Sequence, residues 1–375
     1  MNDAISAYLQ TRIDAGDFPS AVYLVAEKGE IVYQDALGFA VVEPERIPAK
    51  LDTIYDLASL TKPLVTGLLA ALKIDQGNLS LRTKIGRLSS FGSNGLIGEL
   101  TVQELATHVS GLPAWLPFYL LADSSSPKDI HHVIGRQAIE KRGDMVEYSD
   151  LNFIALVGAI GAFRPDTEFD VRVAQVLELS TTFFNPLSHN AERSQIAASE
   201  RGNEYERQTC IERGFLTGDD RGKVSEILRK DIIWGDVHDG NAYFMGGVGG
   251  HAGLFGTAEE VFKIALQFLP TYSKLLKPET CKLFRTNFTE GLNEDRSFAF
   301  QLASTKDSTA GNLMSPESFG HLGFTGTSLW VDPIKDRIFI LLTNRTHNHS
   351  LPFININGVR RRFHDLAIEQ LEEKR

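Results

Sequence analysis

The sequence predicts an α/β protein of the α+β type. One antiparallel sheet is built from N- and C-terminal segments and flanked by helices, and a mostly helical lobe is inserted between them. The first observation behind this is that β-rich runs stand near both ends of the chain, at residues 21–38 and 327–344. The second is that the stretch between them shows helical patterning interrupted by turns. We therefore expect residues 1–80 and 230–375 to form the sheet lobe and residues 81–229 to form the helical lobe.

The N-terminal run predicts an antiparallel hairpin, because two β-rich segments flank a polar turn at residues 27–30. A long apolar run follows at residues 59–76. Pro63 falls in its first turn and Gln76-Gly77-Asn78 closes it, which are ordinary start and stop signals of a helix. We predict a buried helix there.

The C-terminal run predicts two further strands, at residues 327–332 and 337–344, joined by a turn at residues 333–336. An amphipathic helix is expected from about residue 359 to residue 372. In the most economical arrangement, the first and last helices cover the sheet that the two chain ends build.

Composition and charge restrict the classes of function. The chain has 375 residues, of which 42% are hydrophobic, and its formal net charge is -10 at pH 7. This charge weakly repels phosphate backbones, so we expect no nucleic-acid partner. The basic triplet Arg360-Arg361-Arg362 is interpreted as the solvated face of the last helix.

The cysteines do not indicate a metal site, and the N-terminal residues do not indicate a secretory signal. Cys210 and Cys281 lack the spacing of a metal site, so we expect two reduced thiols, no metal and no cofactor. The N-terminal residues are acidic and polar where a secretory signal needs a basic head and an apolar run, and no stretch approaches the roughly 18 apolar residues of a membrane span. These features predict a cytoplasmic protein without membrane insertion, or a periplasmic or secreted one if the N-terminus is processed.

Ser59 and Lys62 form an S-x-x-K pattern at the start of the predicted buried helix. Residues i and i+3 face the same side of a helix, so the hydroxyl and the amine can come within hydrogen-bond reach. The helix N-terminus would stabilise an oxyanion and, together with burial, lower the pKa of the lysine, which could then accept the serine proton. A second copy, Ser125 to Lys128, lies in a polar segment and is interpreted as an exposed loop without chemistry.

The segment ASLTK, residues 58–62, resembles the nucleophile motif of the serine β-lactamase and penicillin-binding-protein superfamily. Tyr148-Ser149-Asp150 looks like the Tyr-x-Asn element of its class C β-lactamase and esterase-like branch, and His321-Leu322-Gly323 looks like the Lys-Thr-Gly strand. Other segments, such as LTVQELATHVSGLP and HLGFTGTSLWVDP, resemble that branch in the expected order. The likeness covers nearly the whole chain and implies a β-lactamase/transpeptidase-like fold.

The resemblance implies a division of roles. Ser59 would be the acylated nucleophile, Lys62 its proton partner, and Tyr148 the phenol or phenolate that moves a proton to the leaving group and then activates water. Which of Lys62 and Tyr148 is the main base stays open. The backbone N–H groups of Ser59 and Phe324 would form the oxyanion hole, and Gly323 would let strand and substrate approach closely.

Two departures from the family pattern bear on the substrate. His321 stands where penicillin-recognising members have a lysine, and histidine, with an ordinary pKa near 6.5, is mostly neutral at pH 7. Asp150 replaces an asparagine and, when ionised, can only accept hydrogen bonds and repels anions, although it could also hold Lys62 or His321 in place. Both changes disfavour a substrate carboxylate. Lys62 and His321 are the expected sources of the positive charge that the phenol of Tyr148 needs at neutral pH.

The resemblance also places one pocket wall in the Gly-rich region at residues 237–256. Its polar side chains are expected at turns or at the pocket rim rather than in catalysis, and His251 among them is a candidate substrate contact. Trp115 and Tyr119, at and after the segment LPAW, are candidates for shaping the acyl pocket.

We expect a serine hydrolase that acts through an acyl-enzyme on small esters or amides, most favourably a carboxylesterase. A β-lactamase, a D,D-carboxypeptidase or a D-aminopeptidase is the alternative, and a binding or sensing protein that does not turn over is a further one. The expected partner is a small acyl substrate, and the oligomeric state stays open.

The chain contains neither the G-x-S-x-G of α/β-hydrolases nor a P-loop. Residues 247–252 fit G-x-G-x-x-A, but no clear strand precedes them, which disfavours a dinucleotide site.

Overall fold

Strands from both ends of the chain meet in one antiparallel sheet. The computed structural model describes residues 4–87, 96–217 and 228–373. In this part of the chain the strands are β1 (Ser20–Glu27), β2 (Glu30–Val41), β3 (Ile47–Pro48), β4 (Tyr55–Asp56), β5 (Phe183–Phe184), β6 (Leu254–Gly256), β7 (Gln301–Leu302), β8 (Phe319–Leu322), β9 (Ser328–Asp332) and β10 (Arg337–Thr343). The large sheet has seven strands in the order β3-β2-β1-β10-β9-β8-β7, and a small sheet has the order β4-β6-β5. The predicted sheet of N- and C-terminal segments is confirmed.

The centre of the large sheet pairs β1 with β10, with Val22 opposite Leu342. Both strands are buried along nearly their whole length, because both faces of the sheet are covered, and so their sequences read as continuous apolar runs. The predicted hairpin is confirmed: β1 and β2 are joined at Lys28 and Gly29, which both have positive φ, as a common two-residue hairpin turn requires.

Helices cover both faces of this sheet. Within the described ranges they are α1 (Ala4–Asp14), α2 (Leu68–Asp75), α3 (Val102–Ala106), α4 (Phe118–Leu121), α5 (Pro127–Gly135), α6 (Asp150–Ala159), α7 (Pro165–Phe169), α8 (Gln175–Leu177), α9 (Glu204–Glu212), α10 (Gly240–Phe244), α11 (Ala258–Ala265), α12 (Pro278–Cys281) and α13 (Asn357–Glu373). The first and last helices cover one face, where Ile5 and Phe363 join Tyr23 in one apolar cluster. On the opposite face α11 packs against β1 and β10.

The stretch between the two sheet-forming ends contains α3 to α9 and one short strand, β5, so its regular elements are mainly helices. The small sheet was not expected, since each of its strands has only two or three residues. It pairs β4, which ends directly before the Ser59 turn, with β6 in the Gly-rich region, and so brings these two parts of the chain together. The exact division into two lobes stays a prediction.

The helix predicted at residues 59–76 is not regular over that length. Ser59 lies in a 3-10 turn (Ala58–Leu60), a π-helical segment (Lys62–Gly67) follows, and only then does α2 begin. An apolar run of this kind predicts burial, but it does not distinguish these three windings. Short π-helical segments are frequent at functional sites.

The basic triplet is a second correction. Arg362 is exposed as expected, but Arg360 is only 4% exposed and belongs to the interior. Cys210 and Cys281 are free thiols, as predicted, and both are buried. Among the helices of the described ranges, none has the length and apolar character to cross a membrane.

Candidate active site

The turn that carries Ser59 is held from behind by a buried carboxylate. Asp56, at the end of β4, accepts hydrogen bonds from the N–H of Ala58 (2.8 Å) and from the N–H of His238 (2.7 Å). Ala58 adopts φ +49°, a conformation that costs a non-glycine residue free energy and is often found at functional sites. These contacts hold the backbone directly before Ser59 and tie it to the Gly-rich region.

Lys62 meets the hydroxyl of Ser59 as the i, i+3 spacing predicts. Its Nζ donates to Ser59 Oγ at 2.9 Å and to the carbonyl oxygen of His251 at 3.2 Å, and lies 2.7 Å from Asp150 Oδ1. The lysine side chain is fully buried. The ammonium thus makes these contacts inside the protein, and Asp150 is the counter-charge it touches.

The pKa of Lys62 corrects the sequence-based expectation. Burial lowers this pKa, but Asp150 and the nearby phenol of Tyr148 outweigh burial, so that the net shift is upward. Lys62 is thus an ammonium at neutral pH and cannot accept the serine proton in the resting protein. The expectation was wrong because it counted burial and the helix terminus but not the carboxylate that replaces the family asparagine.

Tyr148 lies over two cations at the cavity wall. Lys62 Nζ is 4.9 Å and Arg296 Cζ is 5.4 Å from the centre of its ring, and the side chain is 37% exposed. The ring also contacts His108 and His321, with centroid distances of 4.6 Å and 5.8 Å. Two cations and two imidazole rings thus surround the Tyr148 ring.

His108 holds the backbone that presents Tyr148. Its Nδ1 accepts hydrogen bonds from the N–H of Ser149 and from Asn152 Nδ2, both at 3.1 Å, which assigns the proton to Nε2. Burial, then the charges of Arg296 and Lys62, lower the pKa of His108 well below its ordinary value. A neutral imidazole is what an Nδ1 acceptor requires.

His321 is neutral for a similar reason. Burial, then the charges of Lys62 and Arg296, lower its pKa well below 6.5. Nδ1 donates to the carbonyl oxygen of Leu322 at 2.9 Å, which leaves Nε2 as an acceptor without a partner among the described residues. Its expected role as a cation beside Tyr148 is therefore wrong, and Arg296 occupies that role instead.

The turn between β8 and β9 is tied to the chain before Ser59. Thr325 Oγ1 donates to the carbonyl oxygen of Asp56 at 2.7 Å, and Thr327 Oγ1 donates to that of Leu57 at 3.0 Å. A Cβ on Gly323 would lie 1.9 Å from Thr327 Oγ1 and 2.7 Å from the carbonyl oxygen of Leu57, so only glycine fits.

These groups open onto one cavity of about 470 Å³. Of the predicted site residues, those on its wall are Ser59, Trp115, Tyr148, Asp150, His321, Gly323 and Phe324. Glu206, Asp239 and Glu294 add carboxyl groups to the wall, and Arg213 and Arg296 add guanidinium groups. Burial, then the nearby Asp239, raise the pKa of Glu206 to about 8. The wall thus holds more acidic than basic side chains.

Two candidate residues lie behind the wall. The side chain of His251 is 1% exposed, its Nε2 is 3.0 Å from Asp239 Oδ1, and only its carbonyl oxygen reaches the site, through Lys62. The His251 side chain therefore does not line the cavity, and its expected role as a substrate contact is not supported. Tyr119 packs in a separate apolar cluster with Cys210 and likewise does not line the cavity.

Asp150, Asp239 and His251 also bring one possible metal ligand each within 4.8 Å of one another. Lys62 already places a positive charge against Asp150, and His251 Nε2 faces Asp239. Since a cation would have to compete with both contacts, we assign no metal to this group.

Sequence reasoning missed Asp56, His108 and Arg296. Asp56 stands three residues before Ser59, next to the segment ASLTK, and His108 lies in the segment LTVQELATHVSGLP, so the family resemblance already pointed to both neighbourhoods. Arg296 is an isolated arginine in a loop, and nothing in its neighbourhood of the sequence marks it.

The sequence of this chain is similar to those of known proteins. A profile of the Beta-lactamase family matches residues 5–358. A putative D-alanyl-D-alanine carboxypeptidase of Escherichia coli (strain K12) is 28% identical over 369 residues, which cover 91% of this chain and 81% of that protein.

Solved structures show the same fold at low sequence identity. EstCE1, a hydrolase with promiscuous acyltransferase activity, is similar with a TM-score of 0.69 at 19% identity, covering 97% of both chains. D-amino acid amidase from Ochrobactrum anthropi SV3, complexed with L-phenylalanine, is similar with a TM-score of 0.71 at 18% identity, covering 100% of this chain and 99% of that one. The family match spans most of the sequence. The chain belongs to the Beta-lactamase family, and it is a serine hydrolase.

Proposed function

We propose that this protein hydrolyses small neutral esters, as a carboxylesterase, through an acyl-enzyme formed on Ser59. The observation that carries the proposal is the contact of 2.9 Å between Lys62 Nζ and Ser59 Oγ, since Ser59 lines a cavity that Tyr148 and Phe324 also line. Nucleophile, proton carrier and oxyanion donors are the parts that acyl transfer needs.

In this mechanism Tyr148 is the base and Lys62 a fixed cation. Ser59 Oγ attacks the acyl carbon while its proton passes to the phenolate of Tyr148. The N–H groups of Ser59 and Phe324 stabilise the oxyanion, and the phenol then returns the proton to the leaving oxygen as the ester bond breaks. Water attacks the acyl-enzyme by the same route, with its proton passing through Tyr148 to Ser59.

The charge of the cavity supports neutral acyl groups. A substrate carboxylate would meet a neutral His321 and the carboxylate of Asp150, neither of which attracts it. Arg296 is 5% exposed and already pairs with Glu294 at 2.7 Å. We expect hydrolysis of β-lactams, which carry such a carboxylate, to be slow or absent.

The second candidate is an amidase or aminopeptidase for acyl groups that carry an amine. The carboxylates of Asp150 and Asp239 on the wall favour an ammonium on the substrate. The names of the relative and of the structural neighbour, a putative D-alanyl-D-alanine carboxypeptidase and a D-amino acid amidase, support amide cleavage as well.

A substrate panel on the native protein and Ser59→Ala tests the proposal. We expect native turnover of p-nitrophenyl acetate and butyrate, little turnover of a cephalosporin, and loss of all activity in Ser59→Ala, because the nucleophile is gone. Turnover of D-alanine p-nitroanilide above the esters would favour the second candidate.

A fluorophosphonate probe provides the control. Labelling of the native protein that disappears in Ser59→Ala identifies the nucleophile without a known substrate. Labelling without turnover of any panel member would favour a sensor, and labelling that persists in Ser59→Ala would remove Ser59 from the mechanism.

A further inference from the structure

Arg360 is a buried cation without an acidic partner in the described ranges. It is 4% exposed, whereas Arg362, on the same helix, is exposed and pairs with Glu369 at 3.0 Å. A buried guanidinium without a carboxylate costs free energy, and such groups persist when their hydrogen bonds serve the fold or the site. The contacts of Arg360 therefore require an explanation.

Those contacts lead to the turn between β8 and β9. Nη2 donates to the carbonyl oxygen of Gly323 at 3.0 Å and to that of Thr327 at 2.9 Å, and Nη1 donates to Asn357 Oδ1 at 2.9 Å. On the other side of the turn, Arg345 Nε donates to the carbonyl oxygen of Phe324 at 2.7 Å. Two guanidinium groups thus hold consecutive carbonyl groups of one short segment.

Burial, then the nearby Arg345, lower the pKa of Arg360 to about 9, which still leaves it charged at pH 7. Its hydrogen bond to Gly323 is therefore charge-assisted, a class of bond about twice as strong as a neutral one.

The carbonyl oxygen of Gly323 and the N–H of Phe324 belong to the same peptide group. A cation that binds the oxygen draws electron density toward it and leaves the N–H a stronger donor, because hydrogen bonds in series polarise one another. We propose that Arg360 is a positioning residue for the oxyanion hole, which fixes and polarises the peptide group whose N–H, that of Phe324, binds the developing oxyanion. This inference rests on the proposed acyl-enzyme function.

The effect of Arg360 is measured by how fast Ser59 reacts with a fluorophosphonate probe. This reaction passes through the oxyanion hole but needs no physiological substrate. The variants are Arg360→Met, which removes the charge, Arg360→Lys, which keeps it, and Arg362→Met as the matched control on the same helix. Thermal unfolding of each variant is followed in parallel.

We expect Arg360→Met to react about 10- to 100-fold more slowly, which is less than the roughly 100- to 1000-fold loss for a donor removed outright. Arg360→Lys should recover most of that loss, and Arg362→Met should react at the native rate. For any ester that turns over, kcat should fall with KM nearly unchanged, since the lost interaction belongs to the transition state.

Three results would overturn the inference. The first is that Arg360→Met folds and reacts with the probe at the native rate. The second is that Arg360→Met and Arg360→Lys lose equal amounts of labelling rate, in proportion to their loss of thermal stability. If Arg360→Met does not fold, Arg360→Gln is measured instead. The third result is that neither neutral variant folds, because Arg360 would then be required for folding and not for positioning the oxyanion hole. If Ser59 is labelled normally but no ester is turned over, the proposed function is contradicted. The labelling rates of the Arg360 variants can still be compared with the native rate in that case.

Discussion

Lys62 and Asp150 show how one substitution changes the chemistry expected of a residue. With an asparagine at position 150, burial would favour a neutral amine that could serve as a base. The carboxylate at 2.7 Å reverses this preference and raises the pKa of Lys62. In the proposed mechanism the proton therefore moves through Tyr148. The sequence left open whether Lys62 or Tyr148 is the main base, and this mechanism assigns that role to Tyr148.

Glu206 gives a pH-dependent prediction at the same scale. Its carboxyl pKa is raised to about 8, so folding favours its protonated form, and this contribution to stability is full below the ordinary pKa near 4.5 and is lost as the pH rises through 8. Glu206→Gln should remove this loss and make the protein more stable than native at pH 9, on the order of 1–3 kcal/mol, but not at pH 4.

Urea unfolding at both pH values measures the effect of Glu206→Gln. Glu204→Gln, on the same helix but exposed, is the control and should change the free energy of unfolding by less than about 0.5 kcal/mol at either pH. Equal shifts of Glu206→Gln at pH 4 and pH 9 would contradict a raised pKa.

Site residues that stand outside a recognisable sequence pattern could not be predicted, because the residues they contact are distant in sequence. Ser59, Lys62, Tyr148 and His321 stand in short patterns that a family likeness can identify. Arg296 and Arg360 act through contacts with Tyr148 and Gly323 that only the folded chain creates.

At the scale of elements, long patterns predicted more than short ones. The hairpin expected at residues 21–38 is β1 and β2, and the strands and helix expected near the C-terminus are β9, β10 and α13. β4, β5 and β6 have two or three residues each, too few for any alternation of polar and apolar residues to be visible. Their pairing depends on tertiary contacts, and it is this pairing that positions Ser59.

The β8–β9 turn carries the prediction at this scale. Gly323→Ala would force the turn away from Leu57, because the added Cβ would stand 2.7 Å from its carbonyl oxygen. We expect labelling by the fluorophosphonate probe to slow by about 100-fold or more, as for the loss of one oxyanion donor.

Gly358→Ala is the control for Gly323→Ala. A Cβ at Gly358, in α13, meets no atom within 4 Å, so labelling should stay at the native rate and helix propensity should favour the change. Labelling of Gly323→Ala at the native rate would contradict the tight packing of the turn.

At the scale of the whole molecule, Arg337 joins the sheet to the last helix. Its guanidinium is 2% exposed and contacts Glu27 of β1 at 2.8 Å and Glu372 of α13 at 2.5 Å. Arg337→Met removes the buried cation that both carboxylates contact, and we expect the free energy of unfolding to fall by about 3 kcal/mol. The labelling rate of the folded protein should not change, since the contact lies away from the cavity.

Urea unfolding and probe labelling are measured together for Arg337→Met. Lys335→Met, at an exposed position of the β9–β10 turn, is the control and should alter stability by less than about 0.5 kcal/mol. A stability equal to native would show that the ion pairs contribute nothing net.

The pairing of β1 with β10 has a consequence for how the chain is made. Glu27 faces Arg337 across the sheet although 310 positions separate them, so the inner edge of β1 stays unpaired until β10 has been synthesised. Until β10 pairs with β1, the edge of β1 can pair with strands of other chains. The large sequence separation between β1 and β10 also makes their pairing slow. A chain that stops before β10 would leave β1 paired on one edge only, and we expect such a truncated chain to aggregate more readily than the full one.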